Sequence, residues 1–233
     1  MNPALLDAEM PPTANEYVTI MVMKRLNEFF ENGIWKSRKQ YDLEGDAVDP
    51  TTKGGAANDA IYFYWDGIVK KALDDPNTID VSSPVALTGG ASGNIIDEFQ
   101  RGYQLVPPAL IGKYGPLGLK LFISIPDQQK YENTMQLKTT FKNQDTTEKG
   151  INRYNGYDVV PLAGMPENTY FWGMGVPDTG SNLWMGINSQ EDNELQMQKL
   201  QNNAEMWFIK GLFKTDVQIG WTQELVMYTS QVA

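Results

Sequence analysis

The feature that most constrains the fold is a long amphipathic segment near the start of the chain. Its apolar residues recur at helical spacings of three and four; they are Val18, Met21, Val22, Leu26 and Phe29. Side chains at this spacing lie along one face of an α-helix. The sequence therefore predicts one long amphipathic helix at this position.

Signals at both ends set the expected bounds of this helix. Thr13 and Glu16 have the spacing of a capping box, in which each side chain binds a backbone N–H group at the helix start. Asn32-Gly33 predicts the end, because glycine adopts the left-handed conformation of a helix C-cap without strain. We expect a continuous rod over residues 14–31, flanked by the final strands of the chain.

The rest of the chain alternates between helical and strand patterns and ends in a strand-rich third. Three further helices are predicted, and they cover 66–73, Asn94 to the residue before Pro107 with Ser92 as the cap, and 126–137. Strands are predicted at 78–82, 119–125, 157–162, 169–174, 183–187, 195–197, 207–213, 217–221 and 225–228. The predicted fold class is α+β.

The chain contains no cysteine and no histidine, which restricts its chemistry. Without these residues there is no disulfide, no thiolate nucleophile, no ordinary zinc site and no Ser-His-Asp triad. Carboxylates, lysine and tyrosine are the remaining catalytic groups. We predict that the chain is not an enzyme and has no catalytic, cofactor-binding or metal-binding residue.

The formal net charge is −10, and the basic residues are scattered. A nucleic-acid-binding surface needs clustered Lys and Arg, but the densest group here is only Lys36, Arg38 and Lys39. We therefore expect no sequence-specific binding of nucleic acid. No apolar run approaches the roughly 20 residues that span a bilayer, so no membrane association is expected either.

Several short motifs fail the spacing that their chemistry requires. The acidic group Asp42, Glu44, Asp46 and Asp49 has a glycine at its fourth position, whereas an EF-hand loop needs one at the sixth. Gly173-Met174-Gly175 lacks the third glycine of a dinucleotide fingerprint. A solvated acidic loop and a strand-ending turn are the better interpretations.

Paired carboxylates leave one enzymatic alternative open. Asp97 with Glu98, or Glu191 with Asp192 and Glu194, could act as the acid and base of a glycoside hydrolase. The sequence does not place two carboxylates across a cleft, and solvated surfaces are the more common interpretation. Aromatic residues are mostly expected in the core, but three tryptophans near turns could make exposed contacts; they are Trp35, Trp184 and Trp221.

Taken in chain order, six segments resemble the major capsid proteins of tailed bacteriophages, which have the Hong Kong 97-like fold. The resemblance extends from residue 12 to the end of the chain. The six segments are the long helix ending at Asn32-Gly33, Trp65-Asp66-Gly67-Ile68-Val69, the helix from Asn94 to Tyr103 with Ile95-Ile96-Asp97-Glu98, Leu119 to Tyr131, Tyr154 to Pro161, and Phe208 to Tyr228.

This resemblance implies a spine helix, a β-rich peripheral subdomain and a mixed axial subdomain. The implied boundaries are peripheral for 1–75, axial for 76–189, a long peripheral β-ribbon for 190–218, and a return strand to the axial subdomain for 219–233. The family usually has an N-terminal arm and an extended loop before the spine helix, and both are expected to be absent here, since only about a dozen residues precede that helix.

The function implied by the resemblance is structural. The chain is expected to be a virion subunit, assembled in the host cytoplasm, whose copies form pentamers and hexamers of an icosahedral capsid around double-stranded DNA. Scaffold and decoration proteins are further expected partners. The alternatives are an encapsulin-like nanocompartment shell, the carboxylate-dependent glycoside hydrolase, and an unrelated α+β binding domain.

Overall fold

A computed structural model describes residues 14–37, 65–137, 153–175, 180–187, 195–199, 207–211 and 215–230. Its helices are α1 (Ala14–Lys36), α2 (Ile68–Asp74), α3 (Ile95–Leu105), α4 (Pro108–Gly118) and α5 (Ile125–Leu137). The strands are β1 (Ile79–Asp80), β2 (Leu119–Ser124), β3 (Arg153–Tyr154), β4 (Tyr157–Leu162), β5 (Thr169–Met174), β6 (Leu183–Ile187), β7 (Leu195–Lys199), β8 (Trp207–Gly211), β9 (Thr215–Ile219) and β10 (Val226–Thr229). No helix within these ranges is both long enough and apolar enough to cross a membrane.

A mixed sheet of six strands organises the fold, in the order β1-β10-β5-β2-β4-β3. The pairs β1–β10 and β2–β4 are parallel, whereas β10–β5, β5–β2 and β4–β3 are antiparallel. The last strand of the chain therefore lies between β1 and β5. Helices packed on a mixed sheet confirm the predicted α+β class.

Successive residues of each central strand point to opposite faces of the sheet, and both faces are buried. In β5, Tyr170 and Trp172 belong to one core cluster and Phe171 to the other. In β2, Leu121 belongs to the first cluster and Phe122 to the second. This alternation follows from the two-residue period of a strand.

The first face is covered by α3, α4 and α5. Phe99 of α3 is fully buried, and its ring centroid lies 5.5 Å from that of Tyr131, 5.7 Å from Tyr154 and 5.0 Å from Tyr170. The aromatic residues of this layer are core residues, as the sequence predicted for most of them. Burial of rings this size is a large part of the apolar contribution to stability.

The second face is covered by the end of α1, by α2 and by β9. Trp35 of α1 contacts Phe122 and Phe171 of the sheet, with ring centroids 6.4 and 5.9 Å apart. Val217 and Ile219 of β9 belong to the same cluster. The long helix is thus continuous, as expected, and its end packs on a cluster to which β9 also contributes. Flanking of the whole rod by the final strands stays a prediction.

The end of α1 corrects one prediction. The helix does not stop at Asn32-Gly33 but continues to Lys36. Gly33 is buried, and a Cβ there would lie 2.6 Å from the Trp65 ring. This glycine therefore serves close packing rather than helix termination, a role that depends on a residue distant in the sequence.

The helices on the first face correct two more expectations. Ser92 does not cap α3, because the helix begins at Ile95 and is preceded by Asn94. The helix α4 was not predicted at all. Its segment carries three glycines and an internal proline, which lower helix propensity, and Gly115 interrupts it with a φ of 57°.

Most strand predictions are confirmed. The bounds of β4, β5 and β6 coincide with those predicted, and β2 and α5 differ from theirs by one residue. The capping residue Thr13, the acidic group 42–49 and the carboxylates at 191–194 lie outside the described residues.

The strand-rich third contains two antiparallel strand pairs, and the second pair lies between the two strands of the first in sequence. An outer pair joins β6 to β9, from Leu183 opposite Ile219 to Ile187 opposite Thr215. An inner pair joins β7 to β8, from Leu195 opposite Gly211 to Lys199 opposite Trp207. Nested pairing of this kind is the pattern of one long β-ribbon.

Candidate assembly surface

The first half of α1 exposes a group of large apolar side chains. Tyr17 is 60% exposed, Ile20 46%, Met21 50% and Met23 45%. On the same helix, Leu26 and Phe29 are only half-buried. Contiguous apolar side chains at the surface of a soluble domain mark an interaction site. We call these four exposed residues the α1 patch.

Three glycines allow close contacts between the other end of α1 and the body of the protein. A Cβ on Gly67 would lie 2.7 Å from the Trp35 carbonyl oxygen, and one on Gly164 would lie 2.5 Å from the Glu31 carbonyl oxygen. Gly33 makes the third approach, under the Trp65 ring. The helix end is therefore fixed to the body by contacts that only glycine permits, and this fixes where the α1 patch lies.

A second exposed apolar group lies where the β-ribbon leaves the body. Trp184 is 48% exposed, Met185 45% and Trp221 69%. Trp184 and Trp221 are therefore exposed, so a contact through them stays a prediction, whereas Trp35 is half-buried against the sheet. The sequence placed all three near turns but could not distinguish their exposure.

The buried side chain of Asn182 sets the position of Trp221. Its Nδ2 donates to the Trp221 carbonyl oxygen at 2.8 Å, and its Oδ1 accepts the Trp221 backbone N–H at 2.6 Å. The backbone N–H of Gly220 donates to the Asn182 carbonyl oxygen at 2.8 Å. Three hydrogen bonds thus fix the backbone from which the exposed indole projects.

The buried carboxylates take part in structural ion pairs. Glu98 is buried and lies 2.6 Å from Arg101 of the same helix. Asp127 is fully buried, lies 2.9 Å from Lys130, and accepts hydrogen bonds from Ser124 and from the backbone of Asn168. Each therefore has a cation beside it, which is what burial of a charge requires.

Asp97 and Glu98 do not form a facing pair. They are consecutive residues of the first turn of α3, with Glu98 turned to Arg101. Within the described ranges, no group of three or more acidic side chains is placed to hold a metal ion. The prediction that the chain has no catalytic, cofactor-binding or metal-binding residue stays a prediction.

The buried tyrosines are part of the core and bind the backbone through their hydroxyls. Burial raises the pKa of Tyr228 to about 12, and it raises the pKa of Tyr154 and of Tyr170 further. Tyr170 donates to the Glu98 carbonyl oxygen at 2.5 Å, and its ring stacks on that of Tyr228 at 4.5 Å. These phenols remain protonated at neutral pH and act as hydrogen-bond donors.

Comparison with known proteins gives a likeness in structure alone. No protein-family profile and no curated protein matches the sequence. A chain of the satellite phage P4 procapsid, in a structure including the size determination (Sid) protein, matches with a TM-score of 0.57 and 11% identity over 97% of this chain and 71% of that chain. A virus-like particle from Pyrococcus furiosus matches with a TM-score of 0.38 and 10% identity over 69% of this chain and 58% of that chain.

The first of these likenesses extends over almost the whole chain and shows that its fold is one found in a phage procapsid. The second is too weak to support an argument.

Proposed function

We propose that the chain is a structural subunit of an icosahedral phage capsid with the Hong Kong 97-like fold, and that its copies enclose double-stranded DNA. The observation that carries this proposal is the likeness to a procapsid chain over 97% of the sequence. The sequence motifs that resemble the major capsid proteins of tailed bacteriophages support it independently.

The sheet topology supports the proposed division into subdomains. The central sheet and α3–α5 are the proposed axial subdomain, and α1, α2 and the ribbon are the peripheral one. The proposed return strand, 219–233, contains β10, which pairs with β5 inside the central sheet. Because β6 pairs with β9, we assign 183–187 to the ribbon, slightly before the boundary at 190 expected from the sequence.

The two exposed apolar groups are the proposed contacts between copies. They comprise four and three residues, whereas a standard interface has about 20–30 residues a side. In a closed symmetric shell every copy repeats the same contacts, so individually weak interfaces add up. Pentamers and hexamers are therefore the proposed oligomers, and the virion is the proposed location. Scaffold and decoration proteins are proposed as additional partners.

The net charge of −10 fits this role. An acidic surface repels the phosphate backbone, so it does not trap packaged DNA by non-specific binding. We propose that the inner surface of the shell carries a share of this charge. A basic inner surface in an assembled particle would contradict that part of the proposal.

Electron microscopy of the purified full-length gene product tests the function. We expect uniform closed particles; persistent monomers would contradict the proposal. Nuclease-protected DNA in particles from infected or induced cells separates a phage capsid from a protein compartment, which contains none.

A charge in the α1 patch tests the proposed contacts. Met21→Glu is expected to reduce particle yield at least tenfold while the monomer stays folded, because an interface cannot bury an unpaired carboxylate. Leu137→Glu at the end of α5 is the control, since Leu137 is 54% exposed and lies outside the patch. Equal yields from the two variants would rule out the α1 patch as a contact.

A further inference from the structure

The segment between β1 and α3, residues 82–94, lies on the body without regular secondary structure. We call it the strap. Leu87 is its only large buried apolar side chain, at 2% exposed, whereas Val85 is 47% exposed. A single apolar anchor therefore attaches a mostly exposed segment to the core cluster beneath α3 and α5.

The hydrogen bonds that tie the strap to the body are made largely by side chains. The Tyr228 hydroxyl accepts the Val85 N–H at 3.0 Å and donates to the Val85 carbonyl oxygen at 2.6 Å. The N–H of Gly90 donates to Thr134 Oγ1 at 2.9 Å. Because these bonds are not part of the cooperative ladder of the sheet, the strap can open while the sheet stays paired.

Asn168 is the central attachment of the strap. Its Oδ1 accepts the Leu87 N–H at 2.8 Å and lies 3.3 Å from Lys130 Nζ. Its own N–H donates to Asp127 Oδ2 at 2.7 Å, and its carbonyl oxygen accepts the Ser230 N–H at 3.2 Å. One residue thus joins the strap, α5 and the end of β10.

A cluster of ion pairs lies beneath this attachment, and we call it the base. Lys130 bridges the fully buried Asp127 at 2.9 Å and Glu167 at 2.7 Å. Ser124 donates to the same Asp127 at 2.6 Å. Because the carboxylate and its cation satisfy one another, we expect this base to keep its structure when the strap detaches.

We propose that the strap is a locally opening unit: residues 82–94 detach from the body together while the central sheet stays folded. Asn168, whose side chain holds Leu87, is the residue that must release the strap, and we call it the latch. Detachment withdraws Leu87 and uncovers the apolar surface on which it sits. The latch lies in the β4–β5 turn, and Gly164 of that turn contacts the anchored end of α1. The strap is therefore linked, through one turn, to the helix that carries the exposed patch.

Amide hydrogen exchange on the intact chain tests the proposal. The reporters are the strap amides whose acceptors lie on the body, those of Val85, Leu87 and Gly90. In the unmodified protein we expect these amides to exchange well before those of β2 and β5, because a locally opening unit exchanges ahead of global unfolding.

Two variants release the strap by different routes. Asn168→Gly removes the latch while keeping a residue suited to its φ of 59°. Gly89→Ala adds a Cβ 2.9 Å from the Lys130 backbone and pushes the strap away from α5. Each is expected to speed exchange of the strap amides about tenfold, the effect of losing one buried hydrogen bond or close contact.

Asn155→Gly is the matched control. Asn155 is also left-handed, with a φ of 49°, but its side chain contacts Gln100 rather than the strap. We expect strap exchange to be unchanged in this variant. The proposal is overturned if the strap amides of the unmodified protein exchange together with β5, or if Asn168→Gly speeds the sheet as much as the strap.

Discussion

Replacement of Gly164 by alanine is the sharpest test of how α1 is held. Gly164 is buried in the turn between β4 and β5. A Cβ there would lie 2.5 Å from the Glu31 carbonyl oxygen and 2.9 Å from Asn32 Cα. Both obstacles are backbone atoms, so no side-chain rotation relieves the overlap. The turn and the helix must separate by about 1 Å to reach ordinary van der Waals contact.

The expected cost follows from overpacking. An added methyl group in a well-packed site destabilises by about 1–3 kcal/mol, and backbone obstacles on one side favour the middle of that range, about 2 kcal/mol. For a domain of this size, 1 kcal/mol shifts the melting temperature by about 2–4 °C. Gly164→Ala is therefore expected to melt about 4–8 °C lower. Alanine adds no backbone strain here, because the φ of Gly164 is not positive.

Thermal unfolding followed by circular dichroism measures the effect. Gly112→Ala is the control, because a Cβ at this exposed position of α4 meets nothing within 4 Å. Alanine is about 1 kcal/mol better than glycine inside a helix, so the control is expected to melt at the same or a higher temperature. A melting temperature for Gly164→Ala within 1 °C of the unmodified protein would refute the reasoning.

Two further predictions concern the aromatic residues. Burial raises the pKa of Tyr228 to about 12 and also raises those of Tyr154 and Tyr170. The stability that these tyrosines contribute is therefore complete below pH 10 and is lost as the pH rises toward 12 and above. Urea unfolding across this pH range, with phenolate absorbance at 295 nm, measures the loss. A flat stability profile up to pH 12 would contradict this. Trp172→Ala is expected to lower the free energy of unfolding by about 3–5 kcal/mol, because Trp172 is fully buried. Trp221 is 69% exposed, so Trp221→Ala is expected to change stability by less than about 0.5 kcal/mol and to lower particle yield. Equal unfolding free energies for the two variants would contradict this.

Local patterns predicted much of the fold. The strands β4, β5 and β6 were predicted at their observed bounds, since alternating side chains and the flanking turn residues lie within a few positions of each other. The long helix and the strand-to-helix step at β2 and α5 were predicted for the same reason. The missed helix α4 has glycines and a proline that weaken its local signal, so packing on the sheet decides its conformation.

The exposed residues of the candidate assembly surface were harder to predict from the sequence. Trp35, Trp184 and Trp221 have similar local surroundings, yet one packs on the sheet and two are exposed. The strap and its latch had no signal in the sequence, because Asn168 reaches Leu87 from a different part of the chain. Contacts of this kind exist only once distant segments are brought together.

The sequence by itself determined the α+β class, the continuous amphipathic helix and the exclusion of cysteine and histidine chemistry. These depend on periodicity and composition, which are properties of neighbouring residues. Only the tertiary structure decided that Gly33 packs under Trp65 instead of ending a helix, and that the four residues of the α1 patch stay exposed to solvent. Both depend on which distant surfaces meet, and that is set by the packing of the whole chain.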